Sequence, residues 1–240
     1  VDSQTFIINH PDVRRMLTFQ KAIVEGCIGL LFQCYWWQDM IHGLGSDNEE
    51  AKAYQTMLDL MTTVAKTYPA EYGIKAVNEG LQVFGGYGYT EDFPLEQMAR
   101  DVRIMSIYEG TTGIHSLNLL GRGVTANGGK APQLLFAEVM KTVAEAKTHE
   151  VLLPYSEKLE KELGRLQKVT MHLLGLAAQG NNEVFLADAT FGPRNTIRGG
   201  YTSYDCQLEL GQLFFWRANK VQWILAEITP ENTHKLGIFF

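Results

Sequence analysis

Apolar residues recur at intervals of three and four along most of this chain, the spacing of one face of an α-helix. After Pro11, the residues Val13, Met16, Leu17, Ile23, Val24, Cys27, Leu31, Cys34 and Tyr35 predict the single apolar stripe of a long helix reaching about Ile41. Gly43, Gly45, Ser46 and Asp47 supply a turn and the next cap. A second helix carries Tyr54, Met57, Leu58, Met61, Val64, Ala65 and Tyr68, and Pro69 is expected to end it, because proline lacks an N–H and crowds the preceding turn. A third, with Ile74, Val77, Leu81 and Phe84, stops at Gly85 and Gly86, a left-handed cap signal that opens the loop Gly85-Gly86-Tyr87-Gly88-Tyr89. A fourth begins at Pro94 and presents Leu95, Met98, Ala99 and Val102, and a short turn over 106–110 follows. Thr111 or Thr112 can cap a fifth, whose apolar face is Ile114, Leu117 and Leu120.

Gly121, Gly123, Asn127, Gly128 and Gly129 form the segment richest in turn formers, so a boundary is placed near residue 126, dividing the chain into 1–125 and 126–240. Beyond it, 132–150, 154–178 and 201–228 read as long amphipathic helices, the last with Leu208, Phe214, Phe215, Val221, Leu225 and Ile228 inward. Gly180-Asn181-Asn182 and the stretch 192–200 interrupt them. Strand-like alternation is nearly absent, 5–8 being one weak candidate. The expected fold is all-α, an up-down bundle of seven or eight helices in two adjoining parts.

Composition narrows the classes. The 240 residues are 45% apolar and 20% charged, ordinary values that exclude disordered, collagenous and disulfide-scaffold chains. A formal net charge of −6 argues against nucleic acid or an anionic membrane surface as partner, since both reward a positive face. No apolar run approaches the roughly 18–20 residues of a membrane helix, and no signal-peptide pattern is visible, although the chain begins with Val1 rather than Met. Cys27 and Cys34 are about 10 Å apart along a helix axis, too far to bridge. With Cys206 they read as reduced core thiols of a cytoplasmic protein. There is no CxxC, HExxH or histidine pair at metal spacing, so no metal site is expected.

Two segments go further. Gln82-Val83-Phe84-Gly85-Gly86-Tyr87-Gly88-Tyr89 and Ile107-Tyr108-Glu109-Gly110-Thr111-Thr112-Gly113-Ile114 resemble signature segments of the acyl-CoA dehydrogenase family, and Arg100-Asp101-Val102-Arg103 lies between them as the family's Arg-Asp does. The resemblance covers the family's C-terminal helical domain from about Pro11 to Gly123, without its first helix. The later helices look like the extension of a longer branch related to 3-methylmercaptopropionyl-CoA dehydrogenase. An N-terminal helical domain and a middle β-domain are then expected outside this chain.

The resemblance implies that Glu109 removes the α-proton of an acyl-CoA thioester while the β-hydrogen leaves as hydride to FAD, giving a trans-2-enoyl-CoA. Such a base belongs in a water-poor pocket, where desolvation brings its pKa towards that of the acidified carbon. It also implies that the Glu109 amide holds the thioester oxygen, with Tyr108 and Gly110 beside the substrate. Thr111, Thr112 and Gly113 match positions that bind FAD, at a helix start where donors suit a pyrophosphate. Gln82, Val83, Phe84, Gly85 and Gly86 match the segment that contacts the adenosine end of a neighbouring subunit's FAD, so a homodimer or larger assembly is implied, as is electron-transfer flavoprotein as electron acceptor. His115 stands where the family often has Gln, and reads as a neutral surface histidine rather than a second base. A non-catalytic helical binding or oligomerisation module and a DNA-associated flavoprotein relative are the alternatives, the latter disfavoured by the acidic balance.

Overall fold

The computed structural model describes residues 5–190. The predicted helix 201–228, the interruption at 192–200 and Cys206 lie outside them. The described residues contain α-helices and short 3₁₀ and π turns and no strand, in agreement with an all-α fold. The weak strand candidate at 5–8 is instead part of a 3₁₀ turn, Ile7–Asn9, whose apolar residues are exposed and have no neighbouring strand to pair with.

Helix α1, Pro11–Leu44, and helix α2, Glu49–Phe84, form an antiparallel pair. The turn at Gly45 is short, and Arg15 near the start of α1 reaches Glu79 near the end of α2 with bonds of 3.3 and 3.4 Å. Asn48, one residue beyond the predicted turn, caps α2 by accepting from the amides of Glu50 at 2.8 Å and Ala51 at 3.4 Å. Pro69 does not end the second helix. Both predicted helices are one continuous α2, because Pro69 removes a single backbone bond while its neighbours Tyr68 and Ala70 are buried in the core and hold the helix together.

The apolar side of α1 also divides. Met16, Ile23, Leu30, Cys34 and Trp37 are buried, whereas Leu17, Val24, Ile28, Phe32, Tyr35 and Trp36 are exposed. Leu17, Val24 and Tyr35 each follow a buried position by one residue, roughly 100° around the axis, and Ile28, Phe32 and Trp36 lie further round, so α1 is apolar on two faces and the described helices cover one of them.

Helix α3, Leu95–Ile104, returns along α2. A side chain on Gly80 would meet Leu95, and one on Gly73 would meet Val102 at 3.0 Å, which fixes the direction of that return. Helix α4, Thr112–Asn118, runs into a π turn, Leu119–Gly123, closed by the Val124 amide on the Leu119 carbonyl at 2.8 Å. Asn127, Gly128 and Gly129 then take left-handed dihedrals within α5, Ala126–Ala146, marking the break where turn formers cluster in the sequence. Helices α6, Leu153–Ala178, and α7, Asn182–Thr190, complete the described chain. One core joins Leu30, Trp37, Met61, Val64 and Tyr68 to Leu119, Leu135, Val139, Leu163 and Leu166, so residues on both sides of 126 pack into the same apolar interior.

Candidate active site

The loop between α3 and α4 carries Tyr108, Glu109 and Gly110. It is shaped from within by the Ile107 and Tyr108 amides, which bond the Ile104 carbonyl at 2.9 and 3.1 Å, and by the Thr112 amide on the Ser106 carbonyl at 3.3 Å. Glu109 has φ 50° and Gly110 φ 94°, so the chain reverses through two consecutive left-handed residues, and the first is not glycine. Thr111 is the N-cap of α4, its hydroxyl accepting from the Ile114 amide at 3.3 Å.

Helix α2 grips this loop from below. Lys66 donates to the Met105 carbonyl at 2.6 Å and to the Gly110 carbonyl at 2.7 Å. Further along α2, Glu71 accepts at 2.5 Å from the hydroxyl of the buried Thr112. Ser116 in turn bonds the Thr112 carbonyl at 2.9 Å. Burial holds Lys66 below the usual lysine pKa, opposed by the charges of Glu71 and Glu109. His115 is half-buried rather than on the surface, with Nε2 3.4 Å from the Glu109 carbonyl oxygen. Burial holds its pKa below the ordinary histidine value, which keeps the ring neutral near pH 7. The ring is therefore placed to donate from Nε2 to that carbonyl, and its buried Nδ1 has no partner among the described residues.

Glu109 itself is exposed, as are its neighbours Met105, Ile107, Tyr108 and Ile114. The water-poor surroundings expected of a base are thus not formed by the described residues. What they form is a carboxylate on a pinned loop with exposed apolar side chains on either side.

The segment Gln82 to Gly86 sits elsewhere. Phe84 ends α2, Gly85 turns with φ 59°, and the 3₁₀ stretch Gly85–Tyr89 follows. Gln82, Phe84, Gly85 and Gly86 are exposed and Val83 is half-buried. A Cβ built on Gly85 or Gly86 would meet no heavy atom within 4 Å, so this backbone lies open. Phe84 lies five turns of α2 beyond Lys66, about 27 Å at the helical rise. The two signature segments therefore stand at different points along α2 and do not converge. A cavity of about 310 Å³ among Leu119, Leu120, Leu135, Phe136 and Leu166 contains no candidate site residue.

Lys66 and Glu71 do not stand out in the sequence. The one signal is a cation and an anion set into the otherwise uncharged run from Val64 to Ile74. Among the described residues no helix is long and apolar enough to cross a membrane, and no group of three His, Cys, Asp or Glu could hold a metal ion.

With a helical bundle that presents a Tyr-Glu-Gly-Thr loop pinned from its longest helix, the comparison with known proteins is direct. The family model for the acyl-CoA dehydrogenase C-terminal domain matches residues 2–125, and the chain belongs to that family. Among curated relatives, 3-methylmercaptopropionyl-CoA dehydrogenase of Ruegeria pomeroyi is 33% identical over 188 residues, 77% of this chain and 31% of that protein. The broad-specificity linear acyl-CoA dehydrogenase FadE5 of Mycobacterium tuberculosis is 33% identical over 180 residues, 72% of this chain and 29% of that one. The chain thus spans about a third of the length of these relatives. The Caenorhabditis elegans ACDH-11 structure, solved in complex with C11-CoA, superposes with a TM-score of 0.56 at 24% identity, over 82% of this chain and 34% of that one. The apo-form of Bd2924 superposes at 0.58 with 22% identity, over 90% of this chain and 36% of that one, and both share the fold.

Proposed function

We propose that this chain is the C-terminal part of a flavin-dependent acyl-CoA dehydrogenase in which Glu109 is the catalytic base. The observation that carries the reading is the pinned loop: Lys66 holds both its ends and Glu71 anchors the start of α4 that follows, so the Glu109 carboxylate stands on a fixed backbone between exposed apolar neighbours. Those neighbours support a site closed by further protein or by substrate, since a contiguous exposed apolar patch rarely remains bare. Closure would supply the desolvation that the chemistry asks of the base.

In the reaction, a Glu109 carboxylate oxygen takes the α-proton of the acyl-CoA thioester, and the α-carbon's electron pair forms the new double bond as the β-hydrogen departs with its own pair. FAD, when bound, supplies the acceptor for that hydride. The Glu109 amide holds the thioester oxygen, and Gly110 and Tyr108 border the acyl group.

The residues present fit the cofactor in part. Open backbone at Gly85 and Gly86 suits close approach of an adenosine, with Gln82, Val83 and Phe84 beside it. The α4 start suits a phosphate through Thr111 and Gly113, whereas the Thr112 hydroxyl is already committed to Glu71. The separation of the two segments along α2 supports a flavin shared between subunits, hence a homodimer or larger assembly, and the exposed second face of α1 is further surface for it. Electron-transfer flavoprotein would then reoxidise the cofactor. The free thiols of half-buried Cys27 and buried Cys34 suit a cytoplasmic setting.

The test is Glu109→Gln in the full-length, FAD-loaded protein. The flavin absorption band is expected to persist while kcat falls by about 10²–10⁴, the usual contribution of a positioned base. Retention of more than about a tenth of wild-type kcat overturns the assignment.

A further inference from the structure

We propose that Lys66 is a positioning residue for Glu109: bonded at once to the carbonyls of Met105 and Gly110, its ammonium closes the loop into a fixed arch that presents the base. The inference rests on Glu109 being that base.

The geometry explains why such a tie is needed. Met105 follows the last turn of α3, where carbonyls lack helical partners, and Gly110 directly precedes the cap of α4. Lys66 therefore joins the end of one helix to the start of the next, and the residues it brackets include the left-handed Glu109. A non-glycine residue in that region costs on the order of 1 kcal/mol and persists only where its surroundings over-determine it. An ammonium carries three donors, and two are committed here to carbonyls, an arrangement that neither a methionine nor a glutamine of similar length can reproduce with charge.

Four charged or titratable groups surround the tie. Glu71 is on the same helix, Glu109 is on the loop, His115 projects from α4, and Arg103 of α3 bonds the hydroxyl of Ser106 within the loop. Of these, Glu71 and Glu109 favour the charged lysine. Loss of Lys66 therefore frees both carbonyls and leaves a looser loop with a misplaced base.

The experiment compares wild type, Lys66→Met, Lys66→Arg and Glu109→Gln in the full-length, FAD-loaded protein with an acyl-CoA substrate. Lys66→Met is expected to lower kcat by about ten- to a hundredfold with KM changed less than about threefold, as for a misplaced catalytic group. Lys66→Arg, which keeps charge and donors, is expected to bring kcat back towards wild type. A second measurement does not depend on turnover: in the 240-residue chain, amide exchange at Ile107, Tyr108 and Thr112 is expected to quicken about tenfold or more in Lys66→Met. Unchanged exchange at those amides overturns the tie, and this readout holds even if Lys66→Met destabilises the chain, because Lys66→Arg should then restore protection there. A kcat in Lys66→Met within about threefold of wild type overturns the positioning role. A Glu109→Gln enzyme that stays active overturns the base assignment instead, and the exchange data then report on the loop alone.

Discussion

The imidazole of His115 occupies the space that a side chain on Gly110 would need. A Cβ built there would lie 2.6 Å from Nε2, closer than any real contact of that kind, and Gly110 has φ 94°, where an L-residue is strained in any case. Glycine at 110 is thus required twice, once by the backbone and once by the ring, and the ring in turn faces the carbonyl of Glu109.

Gly110→Ala is therefore expected to destabilise the chain by about 1–3 kcal/mol, part from the left-handed backbone and part from displacing the ring. Adding His115→Ala should recover the second part only. Urea unfolding of the two single variants and the double variant measures the coupling, and strict additivity would mean that the two residues do not compete for the same space.

Thr112 tests the second grip of α2, at the start of α4. Its buried hydroxyl donates at 2.5 Å to Glu71, and a valine side chain there would match its shape while leaving the carboxylate one donor short. Thr112→Val is expected to cost about 1–3 kcal/mol, the usual effect of removing a hydrogen bond to a charged group, while Thr112→Ser stays near wild type. Thermal unfolding of both variants checks this, and equal midpoints for the valine and serine variants would remove the hydroxyl from the account.

Much of the fold is legible because it depends on local chemistry. Gly85 turns with positive φ where the paired glycines announce a helix end, and Thr111 caps α4 as its hydroxyl allows. What the sequence hides depends on partners distant along the chain. Pro69 reads as a terminator, yet the burial of Tyr68 and Ala70 outweighs one missing bond. The apolar residues of α1 read as one stripe, yet Leu17, Val24 and Tyr35 face outward, because periodicity records that a face is apolar and not whether anything covers it. At the site, the Tyr-Glu-Gly-Thr loop is readable as a motif, but Lys66 is 39 and 44 residues from the carbonyls it holds, and nothing local marks that reach.

His115 makes the loop sensitive to acid. Burial holds its pKa below the ordinary value of 6.5, with the Lys66 charge pressing the same way and the contact with the Glu109 carbonyl opposing both. The unfolded chain thus binds this proton more readily than the folded one. The stabilisation is complete above the unfolded pKa and is lost as pH falls below it towards the lowered folded value. Wild type is expected to lose more stability than His115→Asn between about pH 7.5 and pH 5. Parallel loss in urea titrations of the two proteins would show that His115 is not the source.

The two described cysteines are expected to be chemically quiet. Cys34 is buried and Cys27 half-buried on α1, and burial alone pushes their thiols from 9.0 to about 11 and about 12 respectively. The thiolate is the nucleophile, so each unit of that rise removes roughly nine-tenths of the reactive form. In a Cys206→Ser background, native alkylation by iodoacetamide near neutral pH should run about 10²–10³ slower than in urea, where both thiols return to ordinary values. Mass spectrometry of timed samples reads each site separately. Native labelling of Cys34 at the rate of the unfolded chain would mean that the α1–α2 core opens faster than its burial allows, and faster labelling of Cys27 than Cys34 would place the weaker part of that core at Cys27.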